Sequence, residues 1–356
     1  MINVTRPYLP PYEDYENYLK GIWQRKWLTN HGPLVLELEE KLKNYLGVKH
    51  LLYVNNGTVA LQIAIKALNL NDNIITTPFS YVATTNSILW ENCKPVFADI
   101  KNTDFNIDPE KIIPLIDKNT SAILTTHVYG NPCDVKAIEK IAQQNNLKVI
   151  YDGAHAFDTK LNGHQVLSFG DVATCSFHAT KLFHTIEGGA IITNDDTLAE
   201  KMLLYRQFGH MGDEYFSIGI NGKNSEFHAA MGLCVLPMMN KFIENRKATA
   251  ELYDTLLAGL PLQTPQAIAG TSYNYSYYPI IIDSEERLLR IRSLLQQNEI
   301  NTRRYFYPSL NNLPQYKGEA CPVSESVSVR ALALPMYYDL EKETVSKICD
   351  LIKTCF

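Results

Sequence analysis

Lys181 closes the run Ser176-Phe177-His178-Ala179-Thr180-Lys181, just past the apolar stretch Val172 to Phe177. Asp152 closes a second apolar stretch, Lys148 to Tyr151, and is followed by Gly153-Ala154-His155. Both stretches read as strands, so an amine and a carboxylate fall at neighbouring carboxyl ends. Pyridoxal phosphate chemistry requires that pair. The lysine condenses with the cofactor's aldehyde, and the acid keeps the pyridine nitrogen protonated so that the ring accepts electrons. A third element fits the same chemistry. Asn55-Asn56-Gly57-Thr58 follows the run Leu51 to Val54 and opens the helical stretch Val59 to Leu68. A glycine turn feeding a helix N-terminus offers free N–H groups and a dipole to a phosphate. Each piece alone is ordinary: a surface lysine, a helix-capping acid, a capped strand-to-helix turn. Their convergence at strand ends makes the reading.

The elements that must position them alternate. Short β-branched runs recur at Leu51 to Val54, Ile74 to Thr77, Pro95 to Ala98, Ala122 to Val128, Val149 to Tyr151, Val172 to Phe177 and Ala190 to Thr193. Helical patterns lie between most of them, at Val59 to Leu68, Val82 to Glu91 and Val135 to Gln144. The pattern predicts an α/β fold, a mostly parallel seven-stranded sheet with helices on both faces. Ligands of such sheets gather at the carboxyl ends of the strands, where Gly57, Asp152 and Lys181 fall. The pattern changes near residue 240. A long helical stretch is expected from Glu226 to about Leu260, capped by Ser225. Strands are expected at Tyr273 to Tyr277, Arg303 to Tyr307 and Ala331 to Leu334, with helices at Glu285 to Gln297 and Glu341 to Lys353. The division is therefore a large domain, 1–240, and a small α+β domain, 241–356.

In order along the chain, these segments resemble the DegT/DnrJ/EryC1/StrS aminotransferases, sugar-modifying members of the aspartate-aminotransferase fold (fold type I). The resemblance runs from Trp27-Leu28-Thr29-Asn30-His31-Gly32-Pro33 through Thr77 to Thr84, His127 to Pro132, the Asp152 and Lys181 segments and Gly219 to Glu226, to Leu334-Pro335-Met336-Tyr337. It implies pyridoxal 5′-phosphate as cofactor. Lys181 and Asp152 would be catalytic, with Asp152 on the ring nitrogen. His155 would lie near the ring, and Tyr81 would stack on its face. Gly57, Thr58 and Ser176 would hold the phosphate. Asn221 is similar to an asparagine that the family sends to the partner's cofactor, which implies a homodimer with shared sites. Two positions depart from the family: Gly153 where alanine is common, and Lys223 where arginine is common, which loses a bidentate grip. Some branches replace the lysine with histidine and dehydrate; retention of Lys181 disfavours that branch.

Composition sets limits. The 356 residues carry a formal charge of −5, with 46% hydrophobic and 20% charged residues, ordinary for a globular protein and without a basic bias for nucleic acid. The apolar runs are too short to span a bilayer, and Met1 to Arg6 has no signal-peptide core, so a cytoplasmic protein is expected. Seven scattered cysteines read as reduced core residues, and nine histidines form no metal pattern.

The resemblance also implies the reaction. L-glutamate would give its amine and leave as 2-oxoglutarate, and a keto sugar would receive it. Val4 to Pro11 and Thr302 to Leu310 are similar to the C4-aminating branch. The expected acceptor is therefore a dTDP-linked 4-keto-6-deoxyhexose, for an O-antigen or other surface-polysaccharide amino sugar. C3 amination of a 3-keto isomer and a UDP-linked acceptor are the alternatives. Arg303 or Arg304 would meet the diphosphate. Tyr305, Phe306 and Tyr307 are candidates to face the 6-methyl group, and Thr29, Asn30 and His31 are further substrate candidates. A β-eliminating lyase and a non-catalytic regulator are rival readings; retention of Lys181 and the absence of a basic reading head argue against the regulator.

Overall fold

The computed structural model describes every residue except Lys317. Seven strands form the central sheet: β1 (His50–Val54), β2 (Asn73–Thr76), β3 (Lys94–Phe97), β4 (Thr120–Thr126), β5 (Lys148–Asp152), β6 (Val172–Ser176) and β7 (Gly189–Thr193). Their spatial order is β1-β7-β6-β5-β4-β2-β3. Only β7 runs antiparallel to its neighbours. Each strand falls on a run expected from the sequence. Successive side chains of a strand point to opposite faces. Val54, Leu124, Ile150 and Ile191 enter one apolar layer, while Tyr53, Ile123, Val149 and Ile192 enter the other. Burial on both faces explains why these strands read as continuous apolar runs.

Helices α1 (Tyr12–Arg25), α2 (Pro33–Leu46), α3 (Gly57–Ala67), α4 (Val82–Trp90), α5 (Val135–Asn145), α6 (Asp196–Arg206) and α7 (Glu226–Val235) complete the large unit. α3 and α6 cover the first layer through Ala60, Ala64 and Met202. α2 and α5 cover the second through Leu38, Leu42 and Ile138. Full burial of a side chain such as Leu38 stabilises the fold by roughly 1.5–3 kcal/mol. The Gly32-Pro33 turn has a structural cause. The buried Glu226 carboxylate accepts the Leu34 and Val35 N–H groups, at 3.1 and 3.0 Å, and so caps α2. A Cβ on Gly32 would sit 2.5 Å from Glu226 Cδ.

A second unit is built on β8 (Tyr278–Ile281), paired antiparallel with β9 (Ala331–Leu334). Helices α8 (Met239–Leu256), α9 (Glu285–Gln297) and α10 (Lys342–Lys353) pack around this hairpin. Three expectations change here. The single helix from Glu226 breaks into α7 and α8 across a 3₁₀ turn, Leu236–Met238. Pro237 supplies no N–H for a continuous helix. Tyr273 to Tyr277 is not a strand. Tyr275 adopts φ 52, and the side chains of Asn274 and Ser276 bond the His155 carbonyl at 2.8 and 2.7 Å. Arg303 to Tyr307 makes one bridge, Arg303 to Ala333, and then leaves the sheet. Within α8, the helix that contains residue 240, Met239 and Phe242 enter the large core, and Ala250 and Tyr253 the small one. The first residues cross over. Ile2 N–H donates to the Glu299 carbonyl at 2.7 Å and Met336 N–H to that of Val4 at 3.0 Å. Among the described residues, no helix is long and apolar enough to cross a membrane.

Candidate active site

Register brings three strand ends together. Thr126 and Asp152, the last residues of β4 and β5, are cross-strand neighbours, and Asp152 pairs with Thr174, two residues before the end of β6. All three line a cavity of about 300 Å³, together with Asn56, Gly57, Thr58, Tyr81, His155, Ser176, Lys181, Arg303, Tyr305 and Phe306.

Lys181 comes from a rigid loop. Beyond β6 the chain closes on itself through Phe177 N–H to the Gly188 carbonyl and Thr185 N–H to that of Phe177, at 2.8 and 2.9 Å. Phe177 and Phe183 are fully buried, their rings 4.8 Å apart, and Phe157 stacks on Phe183 at 4.7 Å. This aromatic plug fixes the loop, and the turn from His178 to Lys181, closed at 2.9 Å, returns the lysine over the sheet edge. Lys181 Nζ lies 3.5 Å from the Tyr277 hydroxyl. Burial pulls its pKa down, opposed chiefly by Tyr305 and Asp152. A depressed amine is easier to hold neutral, the form that removes protons.

Asp152 is buried, and its hydrogen bonds come from neutral donors. Thr84 Oγ1 donates to Oδ2 at 2.7 Å and Ala154 N–H to Oδ1 at 3.0 Å. Burial raises its pKa, while Thr84, Ala154 and the Lys181 charge pull the other way. A buried carboxylate without a cation in contact is costly. A cation arriving at the cavity floor relieves that cost.

The anion cradle is the start of α3. Asn56 caps the helix by accepting Val59 N–H at 2.8 Å, which leaves the N–H groups of Gly57 and Thr58 outside the helical ladder. Two glycines allow this turn to approach the sheet. A Cβ on Gly189 would lie 2.6 Å from the Asn56 carbonyl carbon, and one on Gly57 would lie 3.0 Å from Ser176 Cβ.

His155 is buried, and its Nδ1 has no hydrogen-bond partner among the described residues. Its ring stacks on Phe306 at 5.7 Å and meets the edge of Tyr277 at 4.8 Å. Burial holds its pKa well below the ordinary range, so the ring is neutral. Tyr81 stands at the N-terminus of α4, 53% exposed at the cavity mouth.

The remaining sequence candidates divide. Arg303 reaches the cavity, its guanidinium 4.7 Å above the Tyr305 ring. Arg304 does not line it. Its Nη2 donates to Glu285 at 2.7 Å and to the Val329 carbonyl at 2.9 Å. Neighbours in extended chain point to opposite sides, so one arginine faces the cavity and the next the small core. Tyr307 covers Arg304 at 3.4 Å and lies off the cavity. Thr29 and Asn30 are also outside it in this chain, with Thr29 Oγ1 donating to the Asn224 carbonyl at 3.4 Å. The Asn221 carbonyl accepts from Asn55 Nδ2 at 3.3 Å, and the Asn221 residue is exposed beside the cradle rather than lining the cavity. Sequence reading missed Thr84 and Tyr277. Thr84 had a signal: it lies one helical turn after Tyr81 and so shares its face. Tyr277 had none, because its segment read as a half-exposed strand with no motif in it. Among the described residues, no group of three or more His, Cys, Asp or Glu side chains is placed to hold a metal.

Pyridoxal 5′-phosphate fits these residues on three observations. His155 Nδ1 is orphaned inside the cavity. The cradle at Gly57 and Ser176 is one that a Cβ would fill. Asp152 is a buried acid offered only neutral donors. What this cavity is equipped for is the work of a pyridoxal phosphate-dependent aminotransferase of fold type I. Residues 12–353 match the DegT/DnrJ/EryC1/StrS aminotransferase family, and the chain belongs to it. It is 43% identical to a dTDP-4-amino-4,6-dideoxy-D-glucose transaminase of Escherichia coli, over 99% of this chain and 98% of that protein. It is 34% identical to a GDP-perosamine synthase of Vibrio cholerae, over 100% and 99%. Among solved structures it is similar to DesI, crystallised in the presence of its TDP-sugar product, with a TM-score of 0.95 and 30% identity over 99% of this chain and 92% of that one.

Proposed function

We propose that this protein is a cytoplasmic homodimer that moves the amine of L-glutamate to C4 of a dTDP-linked 4-keto-6-deoxyhexose, for a surface-polysaccharide amino sugar. The observation that carries the chemistry is the cavity in which Lys181 and Asp152 share a floor with the start of α3. The full-length identity of 43% to the Escherichia coli dTDP-sugar transaminase supports the acceptor.

When bound, the cofactor supplies an aldehyde that exchanges for the amine and a ring that accepts the charge left at the donor's Cα. The chain's own residues do the rest. With the cofactor bound, Lys181 Nζ would remove the proton from the donor's Cα and, in the second half-reaction, would supply one to the sugar carbon. Asp152 would hold a proton on the ring nitrogen. The Gly57 and Thr58 N–H groups, with the Ser176 hydroxyl, would hold the phosphate. His155 and Tyr81, which line the cavity, would pack against the ring. Arg303 meets the sugar diphosphate, since its guanidinium forms no ion pair among the described residues. Tyr305 and Phe306 form the apolar wall for the 6-methyl group.

The test incubates the enzyme with glutamate and a panel of dTDP-, UDP- and GDP-linked keto sugars, with NMR of the products. The expected product is the 4-amino-4,6-dideoxyhexose on dTDP. Turnover of a 3-keto isomer with none of the 4-keto sugar overturns the assignment.

The dimer rests on two features. Asn221 is exposed beside the cradle, and the loop around it exposes Phe208, Met211, Tyr215, Phe216 and Ile218. Apolar side chains clustered on one surface loop are a mark of an interface. In a shared site, Asn221→Ala and Lys181→Ala chains, each defective alone, recover activity when mixed, because one site of the heterodimer then has both residues. A mixture as inactive as its parents, or a monomer by sedimentation, contradicts this.

A further inference from the structure

We infer that Tyr277 is a positioning residue for the Lys181 amine, holding it over the cavity floor whenever it is free of the cofactor. This rests on the reading that Lys181 carries the cofactor, and adds to it a residue that neither composition nor motif marks. Tyr277 is 5% exposed and lines the cavity. Among the described residues, the one hydrogen bond of its hydroxyl is to Lys181 Nζ, at 3.5 Å.

The ring is held from several sides. Asn274 Nδ2 donates to the carbonyls of His155 and Phe157, both at 2.8 Å, and Ser276 Oγ donates to His155 at 2.7 Å. The buried Arg246 on α8 donates to the Ser276 carbonyl at 3.0 Å. These bonds tie the segment that carries Tyr277 to the strand end that carries Asp152. The ring edge then rests on His155 at 4.8 Å and on Tyr305 at 5.4 Å.

Why should the partner be a phenol? A free lysine amine has four rotatable bonds and loses its task if it wanders. A carboxylate would hold it but would also favour the charged ammonium, which cannot take a proton. A neutral hydroxyl holds it without that penalty. Burial pushes the Tyr277 pKa up to about 12, so it stays protonated while the amine beside it is neutral. It can accept an N–H from Lys181 or donate to its lone pair.

Tyr277→Phe keeps the ring and removes the hydroxyl. Two measurements test the inference. In the first, pyridoxal 5′-phosphate is added to cofactor-free protein, and growth of the visible absorbance of lysine-bound cofactor is timed. The expected rate is about tenfold below that of the parent, since one hydrogen bond to the amine is lost. In the second, kcat falls by a similar factor while KM for glutamate stays unchanged. Tyr277→Leu, which also removes the ring, sets the scale of a packing defect in melting temperature and KM. Parental capture rate and kcat in Tyr277→Phe overturn the inference. So does a loss in which KM and melting temperature move together as in Tyr277→Leu. Lys181→Ala is the control: if it still develops the absorbance, the reading of Lys181 fails instead.

Discussion

Lys181→Ala abolishes turnover, with a fall of more than about four orders of magnitude, the upper range for a positioned acid–base group. The variant also lacks the visible absorbance of lysine-bound cofactor. It still binds pyridoxal 5′-phosphate, because the α3 cradle and Ser176 are untouched. Lys181→Arg separates charge from chemistry. A guanidinium keeps the positive charge but stays protonated, so it neither condenses with an aldehyde nor accepts a proton. Both variants are expected to be inactive. Spectrophotometry of the purified proteins and coupled detection of 2-oxoglutarate check this, and an alanine variant with near-parental turnover removes Lys181 from its role.

Asp152→Asn loses roughly 4 kcal/mol or more of transition-state stabilisation, about a thousandfold in rate at ~1.4 kcal/mol per tenfold. The carboxamide keeps the volume, and its oxygen can still accept a hydrogen bond. It carries no charge, so it cannot hold a protonated ring nitrogen. The defect should therefore lie in kcat at saturating cofactor, with much of the cofactor affinity kept. Titration of the variant with pyridoxal 5′-phosphate, followed by turnover at each concentration, separates the two. If activity returns fully as the cofactor saturates, Asp152 acts on retention and not on the electronics of the ring.

Most of the large unit was legible in the sequence for a local reason. Strands buried on both faces need consecutive apolar residues, and each such run ends where the apolar pattern stops. Asp152, Thr126 and Ser176 stand at those stops. The small unit was read less well. Tyr273 to Tyr277 alternates like a strand, yet its period comes from Asn274 and Ser276 turning inward to bond the His155 carbonyl. The pattern detects which side is buried, not what the buried side does.

By itself, the sequence determined the alternation of strands and helices, the placing of an amine and an acid at neighbouring strand ends, and the glycine turn that opens α3. All three are set within a few residues of chain, where propensity and pattern act. Tertiary structure decided how those groups are tuned. Thr84 meets Asp152 across 68 residues, Tyr277 meets Lys181 across 96, and Glu226 caps α2 across 192. It also placed Arg303 on the cavity wall while Arg304, its neighbour in sequence, bonds Glu285 and the Val329 carbonyl. A hydrogen bond between distant segments leaves no periodicity in either one, because each partner is free to sit at any position that the packing brings within about 3 Å.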